Sequence, residues 1–169
     1  RLEHEKNWKY LGVTELNLQS GWISQPVPYP YLFQSPGNGG NGFAGNGLFN
    51  SAGPTEFTNE EYVYLFLIHR FGSLLGKTKT PYFRPELRLI QQLGWGRLNN
   101  VEVHQGIPFQ DMRKCYLESG VGIDNVLRIP YFKLTYIGLG GAVYYRWGAY
   151  RLPNDKDNFS FQLRLSFSV

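Results

Sequence analysis

Residues 40–45 read GNGFAG, which fits the pattern G-x-G-x-x-G of dinucleotide-binding loops. That pattern holds a pyrophosphate only where a buried strand leads into it and a helix begins at it, because the first amides of the helix bind the anion. The preceding QPVPYPYLFQSP contains four prolines, which exclude a central strand. The following GLFNSAGPTEF contains two glycines and a proline, which oppose a helix. We therefore expect no nucleotide site here, and the glycine-rich stretch needs another explanation.

The histidines give no local support for nucleophilic hydrolysis. His4, His69 and His104 are far apart in the sequence, and no serine stands in a G-x-S-x-G turn. A triad assembled from distant segments stays open as an alternative. We predict that the chain is not an enzyme and uses no cofactor.

Two further groups of residues have the right atoms for metal or thiol chemistry. Asp155 and Asp157 offer carboxylates, but a lysine stands between them and the segment lacks the glycine and distal glutamate of a calcium loop. An ordinary solvated turn is favoured. Cys115 is the single cysteine, so the chain has neither an internal disulfide nor a zinc-ligand cluster. We interpret Cys115 as a small apolar residue at the start of a strand.

The composition favours an all-β protein. The 169 residues include 17% aromatic residues and 20 glycines, with little helical patterning. The net charge of +4 is dispersed along the chain, which argues against a nucleic-acid surface. An apolar run of about 18 residues, as a membrane helix needs, is absent from the sequence. The chain begins with Arg1 and shows no signal peptide, so we expect a processed or incomplete chain.

The end of the chain, FSFQLRLSFSV, alternates strictly between apolar and polar residues. Such a period of two predicts a strand with one apolar face. Similar alternation predicts six strands in antiparallel succession at about residues 8–18, 61–73, 82–97, 115–124, 131–147 and 159–169. A long loop spans residues 20–59, and short connections are expected near residues 76–80 and 125–130. Long strands with alternately short and long connections are typical of transmembrane β-barrels.

The sequence therefore predicts an antiparallel transmembrane β-barrel. The charged residues Arg84, Glu86, Arg88 and Arg164 fall on the polar face and are expected to point into a wet lumen. Glu86 lies between two arginines on that face, which indicates a ladder of opposite charges or a wall that is simply kept hydrated. Alternation alone does not distinguish the inside from the outside. A soluble or secreted β-barrel or β-sandwich that binds a ligand such as a glycan is the alternative.

Four segments, VPYPYLFQSPGN, EFTNEEYVYLFLIHRFGSLL, YLESGVGIDNVLRIPYFKL and KDNFSFQLRLSFSV, resemble a family of large Gram-negative outer-membrane proteins of unknown function. Its members carry a carboxypeptidase-regulatory-like domain at the N-terminus, and their barrel is similar to that of the surface-antigen superfamily of assembly factors and translocases. The resemblance implies that residues 1–169 are the C-terminal part of one barrel domain of roughly sixteen strands. The other strands would come from the same protein or from a partner chain. It also implies an outer-membrane location and a role in protein assembly, export or transport.

The same resemblance implies two functional segments. In the assembly factors, a long loop folds into the lumen and carries an Arg-Gly-aromatic motif at its tip. Asn41, Gly42 and Phe43 match this motif except that Asn replaces Arg, which removes the charge for an ion pair with the wall. A loop that glycine simply allows to turn and pack is the alternative. The terminal strand, through Phe161, Leu163, Leu165 and Phe167, would be read by the outer-membrane assembly machinery. The chain ends in Val169 instead of the usual aromatic residue, so Phe167 would be the nearest aromatic anchor.

Overall fold

The computed structural model describes residues 1–39, 42–72, 80–103, 109–131 and 135–168. The protein is mostly β, which confirms the predicted class. The strands are β1 (Leu2–Asn7), β2 (Val13–Trp22), β3 (Phe33–Gln34), β4 (Gly42–Phe43), β5 (Thr58–Asn59), β6 (Glu61–Arg70), β7 (Glu86–Arg97), β8 (Tyr116–Tyr131), β9 (Thr135–Gly148) and β10 (Phe159–Ser168). Short 3-10 helices span Tyr29–Tyr31, Val101–Val103 and Asp155–Asn158. Among the described residues, the helices are too short to cross a membrane.

Eight strands form one large sheet in the order β1-β2-β6-β7-β8-β9-β10-β4. All neighbouring strands in it are antiparallel except β10 and β4, which are parallel. Strands β3 and β5 form a separate small sheet. We use the term upper rim for the side of the sheet at which β2, β7 and β9 end, and lower rim for the side at which they begin. The connections after β2, β7 and β9 lie at the upper rim, and the connection of residues 71–85 after β6 lies at the lower rim.

The two faces of the large sheet have opposite polarity. On β10, Ser160, Gln162 and Arg164 are buried, with Arg164 only 7% exposed. The alternate residues Phe161 and Phe167 are 65% and 75% exposed. We call the polar, buried side the inner face and the apolar, exposed side the outer face. A soluble β-protein has the reverse arrangement, with its apolar face buried.

The first predicted strand, at residues 8–18, is only partly present: residues 13–18 lie in β2, and residues 8–12 form a tight turn. The N–H of Trp8 donates a hydrogen bond to the carbonyl of Gly12 at 2.8 Å. Lys9 and Gly12 have φ angles of 56° and 103°, which a continuous strand does not allow. A Cβ atom at Gly12 would lie 1.9 Å from the carbonyl oxygen of Arg70, so glycine is required there. The turn joins β1 and β2 as a hairpin.

The predicted connection at residues 125–130 is wrong, because β8 continues through it to Tyr131. The register with β9 shifts between Ile123 and Leu127, which marks a β-bulge. Asn125 lies in this bulge with a φ angle of 56°. Its side-chain oxygen accepts a hydrogen bond from the Ser166 hydroxyl at 2.7 Å. The bulge is therefore bonded to β10 across the inner face.

The apolar core lies on the inner face, at the upper half of the sheet. Its buried members come from the sheet, from the segment between β2 and β6 and, for Met112, from the connection between β7 and β8: Phe49, Ala52, Phe57, Tyr64, Phe66, Met112 and Tyr116. We call residues 23–60 the covering loop, because this segment packs on the inner face. The covering loop thus supplies apolar side chains that pack against the inner face of the large sheet.

Candidate functional site: the covered inner face

Phe49 fixes the centre of the covering loop. Its ring centroid lies 4.9 Å from that of Tyr116, 5.0 Å from that of Phe66 and 5.3 Å from that of Tyr64. Such edge-to-face and tilted pairs add to the free energy gained by burial. Gly94 makes room for the ring, since a Cβ atom there would lie 2.8 Å from Cζ of Phe49. Gly94 of β7 therefore leaves the space that the Phe49 ring of the loop occupies.

Glu118 holds the loop backbone next to this anchor. Its Oε1 accepts a hydrogen bond from the N–H of Asn50 at 2.9 Å, and its Oε2 accepts one from the N–H of Ser51 at 2.7 Å. The hydroxyls of Ser51 and Tyr116 also donate to Oε2. The side chain of Glu118 is fully buried. Four donors therefore offset part of the cost of burying one carboxylate, and two of them are main-chain groups of the loop.

Asn50 links the loop to itself and to the terminal strand. Its side-chain oxygen accepts hydrogen bonds from the N–H of Gly45 at 3.2 Å and from the amide of Asn38 at 3.1 Å. Its side-chain nitrogen donates to the carbonyl of Leu48 at 3.1 Å. Its own carbonyl accepts from the amide of Gln162 at 2.8 Å. The side chain of Asn50 therefore closes the turn, while its backbone bonds to both β8 and β10.

An ion pair fastens the loop to β9. Nη2 of Arg146 lies 2.7 Å from Oε1 of Glu56, and the Arg146 side chain is only 3% exposed. The guanidinium also lies 5.1 Å from the Tyr116 ring and 5.7 Å from the Phe57 ring, within cation–π range. The other oxygen of Glu56 accepts from the N–H of Gly53 at 2.8 Å. The ion pair thus contacts Gly53 and Phe57 of the covering loop and Tyr116 of β8.

The last residues of the loop bond to the connection between β7 and β8. The Oε2 of Glu60 accepts from the N–H of Asn99 at 2.7 Å, and its Oε1 accepts from the side-chain amide of Asn100 at 2.7 Å. The Tyr150 hydroxyl donates to the carbonyl of Asp111 at 2.6 Å. Partial burial raises the pKa of the Tyr150 hydroxyl, so it remains a donor at neutral pH. Hydrogen bonds therefore join the connections at the upper rim to one another.

The predicted charge ladder is only partly present. Arg88 and Arg164 are both buried on the inner face, and both pair with Asp124, whose Oδ1 accepts from Nε of Arg164 at 2.9 Å. Glu86 begins β7 half-buried, and Arg84 lies exposed before that strand. Within the described ranges, neither Arg84 nor Glu86 forms an ion pair. Asp124 rather than Glu86 is thus the acid between the two buried arginines.

The loop tip lies at the edge of the sheet. Gly42 and Phe43 form β4, which pairs with Gln162 and Leu163 of β10. Phe43 is 60% exposed. Gly40 and Asn41 fall outside the described residues. The glycine pattern at residues 40–45 therefore continues into a strand at β4, where a nucleotide-binding loop would begin a helix.

The remaining candidate residues have structural partners or lie apart. His69 bonds through Nδ1 to the Thr14 hydroxyl at 2.8 Å and through Nε2 to the carbonyl of Leu11 at 3.0 Å. Asp155 pairs with Arg151. Cys115 is exposed, with a φ angle of 61°, one residue before β8, the strand that it was predicted to begin. The other residues of these sets are His4, exposed on β1; Asp157, which accepts from Asn154; and His104, outside the described residues.

The proposed terminal signal lies wholly on the outer face. Phe161, Leu163, Leu165 and Phe167 are exposed along β10, and Val169 falls outside the described residues. Comparisons of the chain with protein-family models, with curated proteins and with solved structures gave no match. The assignment of function therefore depends on the geometry of the two faces and on the sequence resemblance.

Sequence reasoning missed the residues that hold the loop, and it missed the shared partner of the two buried arginines. The first set is Asn50, Ser51, Glu56, Glu118 and Arg146, and the shared partner is Asp124. One signal was present in the sequence. Glu118 follows Tyr116 at a spacing of two in an alternating strand, so both lie on the polar face. An acid on that face requires donors from another segment, and the sequence does not reveal that Asn50 and Ser51 supply them.

Proposed function

We propose that this chain is the C-terminal part of an integral outer-membrane β-barrel that acts in protein assembly, export or transport without catalytic chemistry. The observation that carries the proposal is the inverted polarity of β10, whose arginine and glutamine are buried while its phenylalanines are exposed. In a bilayer, apolar side chains face lipid and polar ones face the lumen. A soluble protein rarely exposes an apolar face of this extent.

The outer face carries the aromatic residues expected near lipid headgroups. Trp22, Trp95 and Trp147 lie close to the upper ends of β2, β7 and β9. Tyr131 ends β8 at the lower rim and is half-exposed. Tryptophan and tyrosine concentrate at both interfaces of a membrane because their rings are apolar and their N–H or O–H groups remain hydrated. In the proposal, these aromatic residues lie at the two interfaces of the bilayer, one at each rim.

The ends of the sheet fit a larger barrel. Within the described residues, β1 and β4 stand at opposite ends of the large sheet without pairing with each other. Open edges are excluded from the hydrocarbon region, since their backbone groups would lack hydrogen bonds. In the proposal, further strands of the same protein or of a partner chain close the wall. The covering loop then lies in the lumen and keeps the barrel closed at rest.

The membrane assignment is tested by site-directed spin labelling of the full-length protein. Leu165→Cys and Ser166→Cys, each in a Cys115→Ser background, place a nitroxide on adjacent residues of opposite faces. We expect molecular oxygen, which concentrates in lipid, to relax the label at 165 most strongly. A water-soluble nickel complex should relax the label at 166. Equal access of the nickel complex to both labels, or a protein that stays monomeric in buffer without detergent, would favour the soluble ligand-binding alternative.

The closed lumen is tested by conductance. Deleting residues 37–50 removes Phe49 and Asn50, and with them the main anchors of the covering loop. We expect the full-length protein to conduct little in planar bilayers and the deletion variant to conduct continuously. A conductance that does not change on deletion would contradict the closed resting state.

A further inference from the structure

The short strand β4 leaves the inner face and reaches the free edge of β10. Phe49 and Asn50 of the covering loop are fully buried on the inner face, whereas Phe43 is mostly exposed. Ala44, next to Phe43, packs against the buried inner-face residues Ile68, Ile90, Ala142 and Tyr144. The loop therefore passes from the interior to the edge of the wall between residues 49 and 42.

At the edge, β4 is arranged like a strand of the wall. Gly42 stands beside Gln162, and Phe43 stands beside Leu163. Neighbouring residues of paired strands point to the same face, so Phe43 lies on the outer face next to Leu163. The small residue faces inward and the aromatic residue faces outward, which is the alternation of β10 itself.

Hydrogen bonds hold β4 in place at one point of β10. The N–H of Ala44 donates to the carbonyl of Leu163 at 2.8 Å. From the inside, the side-chain amide of Asn38 donates to the carbonyl of Phe43 at 2.8 Å. Successive residues of a strand direct their backbone groups to opposite sides, so Phe161 and Leu165 present theirs to the same edge. Within the described ranges, β4 pairs only with Gln162 and Leu163 of this edge.

We propose that β4 is a clip on the edge of β10, which must leave before another strand can pair with β10 along its whole length. The excluded strand is the neighbouring strand of the same barrel, so this inference rests on the proposed function. The seam, where β10 meets that strand, then has two states. In the clipped state, Phe43 forms part of the outer wall. In the released state, an antiparallel strand takes its place.

The clip is small enough to be reversible. Within the described residues, it pairs with two residues of β10. Gly42 has a φ angle of 132°, and a Cβ atom there would meet no atom within 4 Å, so there is open space beside Gly42. The rest of the covering loop is anchored by Phe49 and Glu118, so the tip can leave the edge while the loop stays inside.

The clip is tested by disulfide formation in the full-length protein, in a Cys115→Ser background. Residues on neighbouring strands are about 4.8 Å apart, which suits a disulfide between Phe43→Cys and Leu163→Cys. The matched control joins Phe43→Cys with Phe159→Cys, about 13 Å further along β10. We expect rapid oxidation of the first pair and none of the control. Absence of the first bond in protein recovered from the outer membrane, or equal oxidation of both pairs, would overturn the clip.

A second variant separates the clip from general misfolding. Ala44→Pro removes the N–H that donates to Leu163, and Ala44→Ser keeps it. Loss of one backbone hydrogen bond should lower the equilibrium yield of a reversible 43–163 crosslink about fivefold in the proline variant alone. Equal yields in both variants would contradict the inference. A full-length protein that is soluble without detergent would instead reject the proposed function, and so the two failures are distinguishable.

Discussion

Replacing Glu118 with Gln tests whether one carboxylate holds the covering loop on the wall. The two oxygens of Glu118 accept the N–H groups of Asn50 and Ser51 separately. A Gln side chain has nearly the same shape but keeps only one acceptor oxygen. Its NH₂ group replaces the other oxygen, so one of the two loop N–H groups is left facing a donor.

The expected effect follows from the burial of this site. An unpaired buried N–H costs about 1–3 kcal/mol, and Glu118 and Asn50 are both fully buried. That free energy corresponds to roughly a 5- to 150-fold increase in the fraction of molecules with the loop released. Hydrogen exchange of the peptide spanning residues 45–52, measured by mass spectrometry on the full-length protein in detergent, should accelerate accordingly.

Glu86→Gln is the matched control for this experiment. It makes the same change at a carboxylate of the same sheet, at a site that is only half-buried at the lower rim. We expect exchange of the loop peptide in Glu86→Gln to equal that of the wild type. If Glu118→Gln also leaves the exchange unchanged, the carboxylate does not hold the loop and the reasoning fails.

Three further predictions concern stability and insertion. Gly94→Ala should lower the free energy of unfolding by about 1–3 kcal/mol, because its Cβ would meet Phe49. Gly141→Ala should be neutral, because the nearest neighbour of its Cβ would lie 3.8 Å away, and thermal unfolding of the full-length protein compares the two variants. Glu56→Ala should cost about 3 kcal/mol by leaving Arg146 buried without its partner, and adding Arg146→Met should recover part of that loss in the same assay. Leu163→Arg should cost roughly 2–4 kcal/mol if this residue faces lipid, whereas Leu163→Phe should be tolerated, as measured by urea unfolding from vesicles; equal midpoints would count against the membrane assignment.

The alternation of β10 predicts both of its faces correctly as polar and apolar sets. Local patterns are sufficient there because each side chain of a strand points opposite to its neighbours. They fail at Trp8–Gly12, where apolar residues form a turn that depends on a positive φ angle at Gly12. They fail again at Asn125, because the bulge lets β8 continue past a residue that usually favours turns.

The candidate site was harder to predict because its bonds join distant segments. Asn50 and Ser51 reach Glu118 across more than sixty positions of the chain. Periodicity carries no information about such pairings. Alternation correctly placed Arg88 and Arg164 on the inner face. It did not reveal that both pair with Asp124, because this acid lies on a third strand.

The aromatic cluster around Phe49 also constrains the order of folding. The hairpin of β9 and β10 joins residues close in sequence, so it closes a short loop and forms early. The contacts of Phe49 with Tyr64 and Tyr116 are complete only when β6 and β8 are both in place, because the two tyrosines belong to different strands. We therefore expect the full aromatic cluster to pack after the hairpin of β9 and β10 has formed. If the chain forms part of a barrel as proposed, we expect a molecule halted before that step to have a hydrated interior and to be permeable.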